Sequence, residues 1–323
     1  MPPLPKPAHV LEWLLLKGVL AWVRRGTLEE MAVRTRRLAR HARHALRNEW
    51  AWTRTNLRLV YGPHPSDAQI DRLALLVFEN IFLSHLEGLR ARDCHGQWQG
   101  LEILTNLHAQ KRAAILTCIH LGSWEPAMRH AADAGLPLVV VYRHANNPLS
   151  EREFTRVRAD YGVRLIRRKD TRAAMRALTD GDFLTLMMDI NTRRGGVTAP
   201  FLGVPAQCPA GAARLASRYG CVVVPAVAVR LAPGLAEIRV GAPLEPPPPD
   251  ATITELERFT TDINEAFAPS ILEWPEQYNW LHARWRSRPD GSLWRPDTPL
   301  ATLWQSRVAP HPTLPPRVLE RIA

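Results

Sequence analysis

The sequence lacks most of the features that would sort it quickly. Its four cysteines, Cys94, Cys118, Cys208 and Cys221, show no CxxC or other metal-ligand spacing. That excludes a zinc knuckle or a disulfide framework. Cys118, Cys208 and Cys221 fall in apolar segments, as buried free thiols of a reducing compartment do. No N-terminal stretch has the layout of a secretory signal. No internal repeat and no nucleic-acid-binding motif is visible. The longest apolar run, Val10 to Val23 (VLEWLLLKGVLAWV), is interrupted by Glu12 and Lys17. As a helix it would reach roughly 21 Å, short of the ~30 Å hydrocarbon core of a bilayer. Acidic residues are scarce: 31 against 42 Lys and Arg, a net charge of +11.

That charge calls for an anionic partner. Read as one helix over residues 28–60, Arg36, Arg40, Arg43, Arg47, Arg54 and Arg58 fall within roughly 60° of one face at about 100° per residue. Leu38, Ala42, Leu46, Trp50, Leu57 and Val60 fall beside them. The strip is either a solvated face or a docking surface for phosphates or an acidic protein, and without a motif nucleic acid ranks last. At the N-terminus, Trp13 and Trp22 suit the headgroup level, and Arg24 and Arg25 follow directly. A helix lying in the membrane interface fits better than a clean span, the alternative being a buried helix of a soluble domain. Residues 1–26 are therefore assigned as a disordered tail plus a hydrophobic membrane anchor.

The remainder, 46% hydrophobic over the 323 residues, fits one large domain at 27–308. Its part at 27–92 is expected to be helical, and its core at 100–290 an α/β structure. Ser66-Asp67-Ala68-Gln69 reads as a capping box ahead of an amphipathic helix carrying Ile70, Leu73, Val77, Phe78 and Ile81. From about residue 113 strands and helices alternate. Strands are predicted at 113–119, 137–142, 163–166, 182–188, 221–229 and 236–240, and helices near 124–134, 148–160, 171–179 and 209–219. Gly135, Gly162 and Gly220 sit at the expected helix stops, and Asn147-Pro148 at a helix start. The fold class is α/β: a mixed, mostly parallel sheet flanked by helices. A Pro-rich end at 309–323 is expected to be loose.

The most informative stretch is Ile119-His120-Leu121-Gly122-Ser123-Trp124-Glu125. A strand running into a Gly-bearing turn puts its last polar residue at the carboxyl end of the sheet, where open α/β sheets bind ligands. Ser123 is a good N-cap residue, and Glu125 at the helix start could turn back to the His120 ring. A carboxylate on one imidazole nitrogen makes the other a better general base for activating a hydroxyl. Arg143 emerges at the end of another strand, with Asn147 after it and Arg158 on the next helix. Arginine forks suit phosphates and carboxylates. Asp189 closes a third strand and is placed to orient the site. Gly195-Gly196 suggest a flexible turn, and Pro200-Phe201-Leu202-Gly203 reads as an apolar loop that either walls a chain-binding pocket or packs under the sheet. A Cys118–His120 nucleophilic pair is conceivable. A metal site from His120, Glu125 and Asp189 lacks a second histidine at ligand spacing.

In order and spacing, these segments resemble the late acyltransferases of lipid A biosynthesis, the lauroyl/myristoyl transferase family of Gram-negative bacteria. The likeness runs from the N-terminal hydrophobic segment through His120-Leu-Gly-Ser-Trp-Glu125, Val141-Tyr142-Arg143 with Asn147-Pro148-Leu149, and Arg158-Ala-Asp-Tyr-Gly162. It continues through Gly196-Val-Thr-Ala-Pro-Phe-Leu-Gly203 to Trp274-Pro-Glu-Gln-Tyr278 and Trp280-Leu-His282. Two positions depart from it: Ile190 stands where the family often has Gln, and Cys208 where it has a small hydroxyl residue.

The resemblance implies a glycerolipid acyltransferase-like fold and an EC 2.3.1-type reaction at the cytoplasmic face of the inner membrane. It implies an acyl carrier protein thioester or acyl-CoA as donor, a glycolipid hydroxyl as acceptor, an anionic membrane surface as partner, and no cofactor. His120 would be the base and Glu125 its charge partner, with Arg143, Asn147, Arg158, Asp189, Phe201 and Gly203 around the substrates. Acylation of another polar lipid, a hydrolase using water or Cys118, and a non-catalytic lipid-binding relative remain the alternatives.

Overall fold

The computed structural model describes residues 6–323; residues 1–5, within the tail read as disordered, lie outside it. Pro7 opens the first helix, α1 (Pro7–Val23), followed by α2 (Leu28–Ala45), α3 (Arg47–Tyr61) and α4 (Asp67–Gly88). No helix among the described residues is long and apolar enough to cross a membrane. The single helix read over 28–60 is two. The chain breaks at Leu46, whose backbone leaves the helical region at φ −96°, ψ 54°. The basic strip is divided there and partly neutralised: Arg40 pairs with Glu79 at 3.5 Å, Arg54 with Asp71 and Arg58 with Asp67. The expected capping box at Ser66 forms, its hydroxyl accepting from Gln69 N–H at 3.2 Å.

The α/β core follows as β1 (His95–Gln99), α5 (Leu101–Ala109), β2 (Ala114–Gly122), α6 (Trp124–Asp133), β3 (Leu138–Tyr142), α7 (Pro148–Ala159), β4 (Arg164–Arg167), α8 (Thr171–Thr179) and β5 (Phe183–Met187). A hairpin, β6 (Val197–Phe201) and β7 (Val204–Cys208), precedes α9 (Gly211–Tyr219), β8 (Val222–Ala232), β9 (Leu235–Val240) and α10 (Ile253–Glu273). Two short helices, α11 (Leu300–Gln305) and α12 (Pro316–Ile322), end the chain.

Seven strands form one sheet in the order β1-β9-β8-β2-β5-β3-β4. The five from β8 to β4 are parallel, whereas β9 runs antiparallel to β8 and carries β1 parallel to itself. The mostly parallel α/β sheet read from the sequence is thus present, with all six expected strands and the four expected helices between them.

Strand alternation divides the core. Leu116 of β2 packs with Leu104 and Leu107 of α5 and Ala131 of α6. Ile115, Ile119 and Leu121 join the larger cluster on the other face, with Ala177 of α8, Ala213 of α9 and Phe259 of α10. Pro200-Phe201-Leu202-Gly203, read as an apolar loop, belongs to a structured hairpin spanning residues 197–208. Val197, Ala199 and Phe201 on one strand and Val204, Ala206 and Cys208 on the other are buried alternately, with a tight turn at Leu202 and Gly203. The end of the chain is not loose either. Val318 and Ile322 of α12 are fully buried in contact with α4.

Candidate active site

β2 pairs with β5 only as far as Cys118 opposite Met187, and its register with β8 shifts between Cys118 and Gly122. The irregularity frees the backbone of His120 from the sheet. Its N–H donates to Asp189 Oδ2 at 2.9 Å, and its carbonyl accepts from Asn279 N–H at 2.9 Å. Gly122 makes the turn possible. It stands at φ +59°, and a Cβ there would lie 2.1 Å from the Ala228 carbonyl oxygen, so only glycine fits.

Asp189, just beyond β5, holds His120 a second time: His120 Nδ1 lies 2.9 Å from Asp189 Oδ1. With an ionised carboxylate as partner, Nδ1 carries the proton and Nε2 is the basic nitrogen. Burial opposes charging the ring, but the Asp189 charge and hydrogen bond outweigh it, and the His120 pKa stands above its ordinary value. The same coupling works on Asp189: burial pushes its pKa up, and the imidazole and the His120 N–H more than offset that, leaving it lowered. Trp124 stands edge-on to the His120 ring at 5.4 Å between centroids and edge-on to the His85 ring at 5.5 Å.

Glu125 is not the partner of His120. Its carboxylate is taken by Arg158 of α7, in a bidentate pair with Nε–Oε2 at 3.2 Å and a second contact from the other guanidinium nitrogen. The physical reason is local. Glu125 lies in the first turn of α6, which carries its side chain sideways to α7 rather than back over the strand end. Ser123 does not cap that helix by its side chain; its hydroxyl donates to the buried Glu87 at 2.7 Å. Glu87 also holds Arg230 of β8 at 2.8 Å, so strand end, α4 and β8 are locked together behind the site.

His120, Glu125, Arg143 and Arg158 line a cavity of about 1080 Å³ that runs into the apolar space between the sheet and α6. Leu116, Cys118, Met128, Ala131, Val140 and Met187 form much of that wall. Its size and largely apolar lining are those of a small-molecule or lipid site. Arg143 is exposed at the mouth with no ion pair among the described residues.

Three expected contacts fall elsewhere. Asn147 spends its side chain on structure, accepting from Leu149 N–H at 3.0 Å to cap α7 and donating to the His9 carbonyl of α1 at 3.1 Å. Phe201 is fully buried against Tyr278 and Trp285, and Gly203 turns the hairpin beside Ala309. Neither wall of that hairpin reaches the cavity, because its apolar face is consumed by α10.

Burial, with the Asp189 charge adding, pushes the Cys118 thiol up to about 12, so it stays protonated and does not support a Cys–His nucleophile. Among the described residues no cluster of three His, Cys, Asp or Glu side chains could hold a metal ion.

The late Tyr278-to-His282 motif has a role its sequence did not disclose. His282 Nε2 accepts from Asn191 N–H at 2.8 Å, and burial, the largest influence, lowers the His282 pKa and keeps that acceptor neutral. The loop that carries Asp189 is thereby pinned. Tyr278 pairs across Leu121, and burial first, then the Asp189 charge, holds its hydroxyl protonated.

The family model for bacterial lipid A biosynthesis acyltransferases matches residues 3–287. A lipid A biosynthesis lauroyltransferase of Escherichia coli is 30% identical over 194 residues, 59% of this chain and 62% of that protein. A lipid A biosynthesis palmitoleoyltransferase of the same organism is 26% identical over 305 residues, 88% of this chain and 94% of that one. A phosphatidylinositol mannoside acyltransferase of Mycolicibacterium smegmatis is 26% identical over 258 residues, covering 76% and 82% of the two chains.

Proposed function

The chain belongs to the bacterial lipid A biosynthesis acyltransferase family, and from that premise we propose that it moves a fatty acyl chain from an acyl carrier protein thioester to a hydroxyl of a glycolipid. The observation that carries the reading is the Asp189–His120 pair at the mouth of an apolar cavity. Asp189 holds Nδ1–H, so Nε2 takes the proton of the acceptor hydroxyl as the oxygen attacks the thioester carbonyl carbon. Arg143, unpaired at the mouth, offers positive charge to the tetrahedral oxyanion. When the carbon–sulfur bond breaks, the thiolate takes the proton back from Nε2. The products are an ester and a thiol, and the imidazole is regenerated. The departing chain lies in the apolar space beneath α6. The phosphatidylinositol mannoside relative widens the acceptor class to glycolipids beyond lipid A precursors.

The membrane holds the acceptor, and α1 supplies the contact. Its outer face exposes Leu11 (62%), Leu14 (55%), Leu15 (64%) and Trp22 (44%), while its inner face is tied to α7 through Lys17–Glu153 at 3.3 Å. An apolar helix face beside the cavity mouth suits insertion into the interface at the cytoplasmic side of the inner membrane. The test of the reaction is product identity. Purified protein with the thioester and a glycolipid is expected to give one ester per thioester consumed. Free fatty acid formed equally well without acceptor would make it a thioesterase instead.

A further inference from the structure

The cavity is not confined to the α6 side of the sheet. Leu116, Cys118 and Val140 point to that face, but Ile166 of β4 and Leu184 and Leu186 of β5 point to the opposite one, and all six line the same space. The cavity therefore bends around the carboxyl ends of the strands and has a second arm, closed by Met175 of α8 and Leu215 of α9. Ile190, Asn191 and His282 lie on the lining as well, beside Asp189, so both arms serve one His120.

The rim of the second arm is cationic. Arg168 follows β4 on the face of Ile166, and Arg214 and Arg218 stand one turn apart on the same side of α9; all three are exposed and line the cavity. None forms an ion pair or side-chain hydrogen bond among the described residues, as is also true of many other arginines of this chain, so it is their shared position on one cavity that sets them apart. The nearby carboxylate on the lining, Asp170, is engaged in capping α8 through Ala173 N–H at 3.0 Å. Three arginines around one opening outnumber that single carboxylate, and their mutual repulsion favours an anion between them. The guanidinium is the group best matched to phosphate geometry, and all but four of the 42 cationic Lys and Arg side chains of this chain are arginine.

We propose that the second arm binds a hydrocarbon chain of the lipid acceptor and that Arg168, Arg214 and Arg218 bind a phosphate of the same molecule. The proposal rests on the acyltransferase reading. Hydrocarbon walls suit a lipid chain rather than the amide-rich pantetheine arm of a donor. The acyl group in transit then occupies the α6 arm and the acceptor the α8–α9 arm, with the reacting hydroxyl at the bend.

The test is equilibrium binding to the full chain carrying His120→Ala, so that no turnover occurs, using lysophosphatidic acid and a monoacylglycerol of equal chain length. The phosphate is expected to improve binding by about tenfold or more. That advantage is expected to vanish in Arg214→Gln/Arg218→Gln and to shrink in Arg168→Gln, whose circular dichroism and melting should match the parent. Equal binding of the two probes by the parent overturns the proposal. So does an advantage that survives undiminished in both variants. In the active background the same variants should raise the KM for a phosphorylated glycolipid and leave that for the acyl donor unchanged; the reverse pattern assigns the arginines to the donor's phosphate and also overturns it. A failure of the acyltransferase reading would appear as absent ester formation by the unsubstituted chain, which the binding measurement does not depend on.

Discussion

In the proposed reaction His120 serves as a base only when neutral, so its raised pKa would set where activity is lost on acidification. The rate should fall as pH drops through a value above the ordinary ~6.5 of histidine. Asp189 is the cause of the rise, acting against burial. In Asp189→Asn the burial effect is left unopposed. The acid limb of the pH–rate profile is expected to move to lower pH while kcat falls, because the ring also loses its fixed tautomer. Glu125 and Arg158 influence His120 with opposite signs and engage each other. Glu125→Gln should therefore lower activity through a loosened mouth with a much smaller displacement of the acid limb. Equal displacement in the two variants would contradict the assignment of Asp189 as the partner. At this scale the sequence placed His120 and Asp189 at strand ends but assigned the carboxylate beside His120 to Glu125 rather than Asp189. A polar residue at a strand end before Gly122 is a local signal. The distance between His120 and Asp189 depends on β2 lying beside β5, a fact of topology that no spacing of five residues reports.

The elements that the sequence disclosed are those with local punctuation. The strands from residue 114 to 240 announce themselves as apolar runs between glycines, and α4 by its capping box. The same box at Thr252 and Glu255, followed by Leu256, Phe259, Ile263 and Phe267 at helical spacing, marks α10. It escaped notice behind the run of prolines at 246–249. The β6–β7 hairpin was obscured in the same way, since Pro200 and Pro205 interrupt an alternation that is otherwise regular.

Two elements carry tests. Truncating Val318, fully buried in α12, to alanine should cost roughly 2–3 kcal/mol, from about 0.8 kcal/mol for each of its two methyl groups plus a cavity contribution. An unchanged urea midpoint would mean that the C-terminal helix is not packed as described. For α1, Leu11→Glu/Leu15→Glu places charge on the exposed apolar face. Co-sedimentation with anionic phosphatidylglycerol vesicles should drop sharply, with melting unaltered. Undiminished sedimentation would remove α1 from the membrane contact.

The whole molecule explains why so much of the chain is needed for two side chains. The sheet brings the ends of β2 and β5 together. The locked Glu87–Arg230 pair and the segment from Tyr278 to His282 then hold those ends from behind. Helices on both faces leave an apolar cavity that opens at His120. The arginine strip read over residues 28–60 is broken at Leu46, and the net charge of +11 is spread over the chain. It is divided between ion-paired helices at the N-terminal end and unpaired arginines around the cavity.

The central claim is that the His120 imidazole removes the proton from an acceptor hydroxyl during acyl transfer. It is tested most directly by single-turnover ester formation from a labelled acyl carrier protein thioester and a glycolipid, comparing the unsubstituted chain with His120→Ala. Loss of the general base is expected to slow the chemical step by about 10²–10⁴-fold, with thioester binding retained. Ester formation by His120→Ala at a near-normal rate would contradict it.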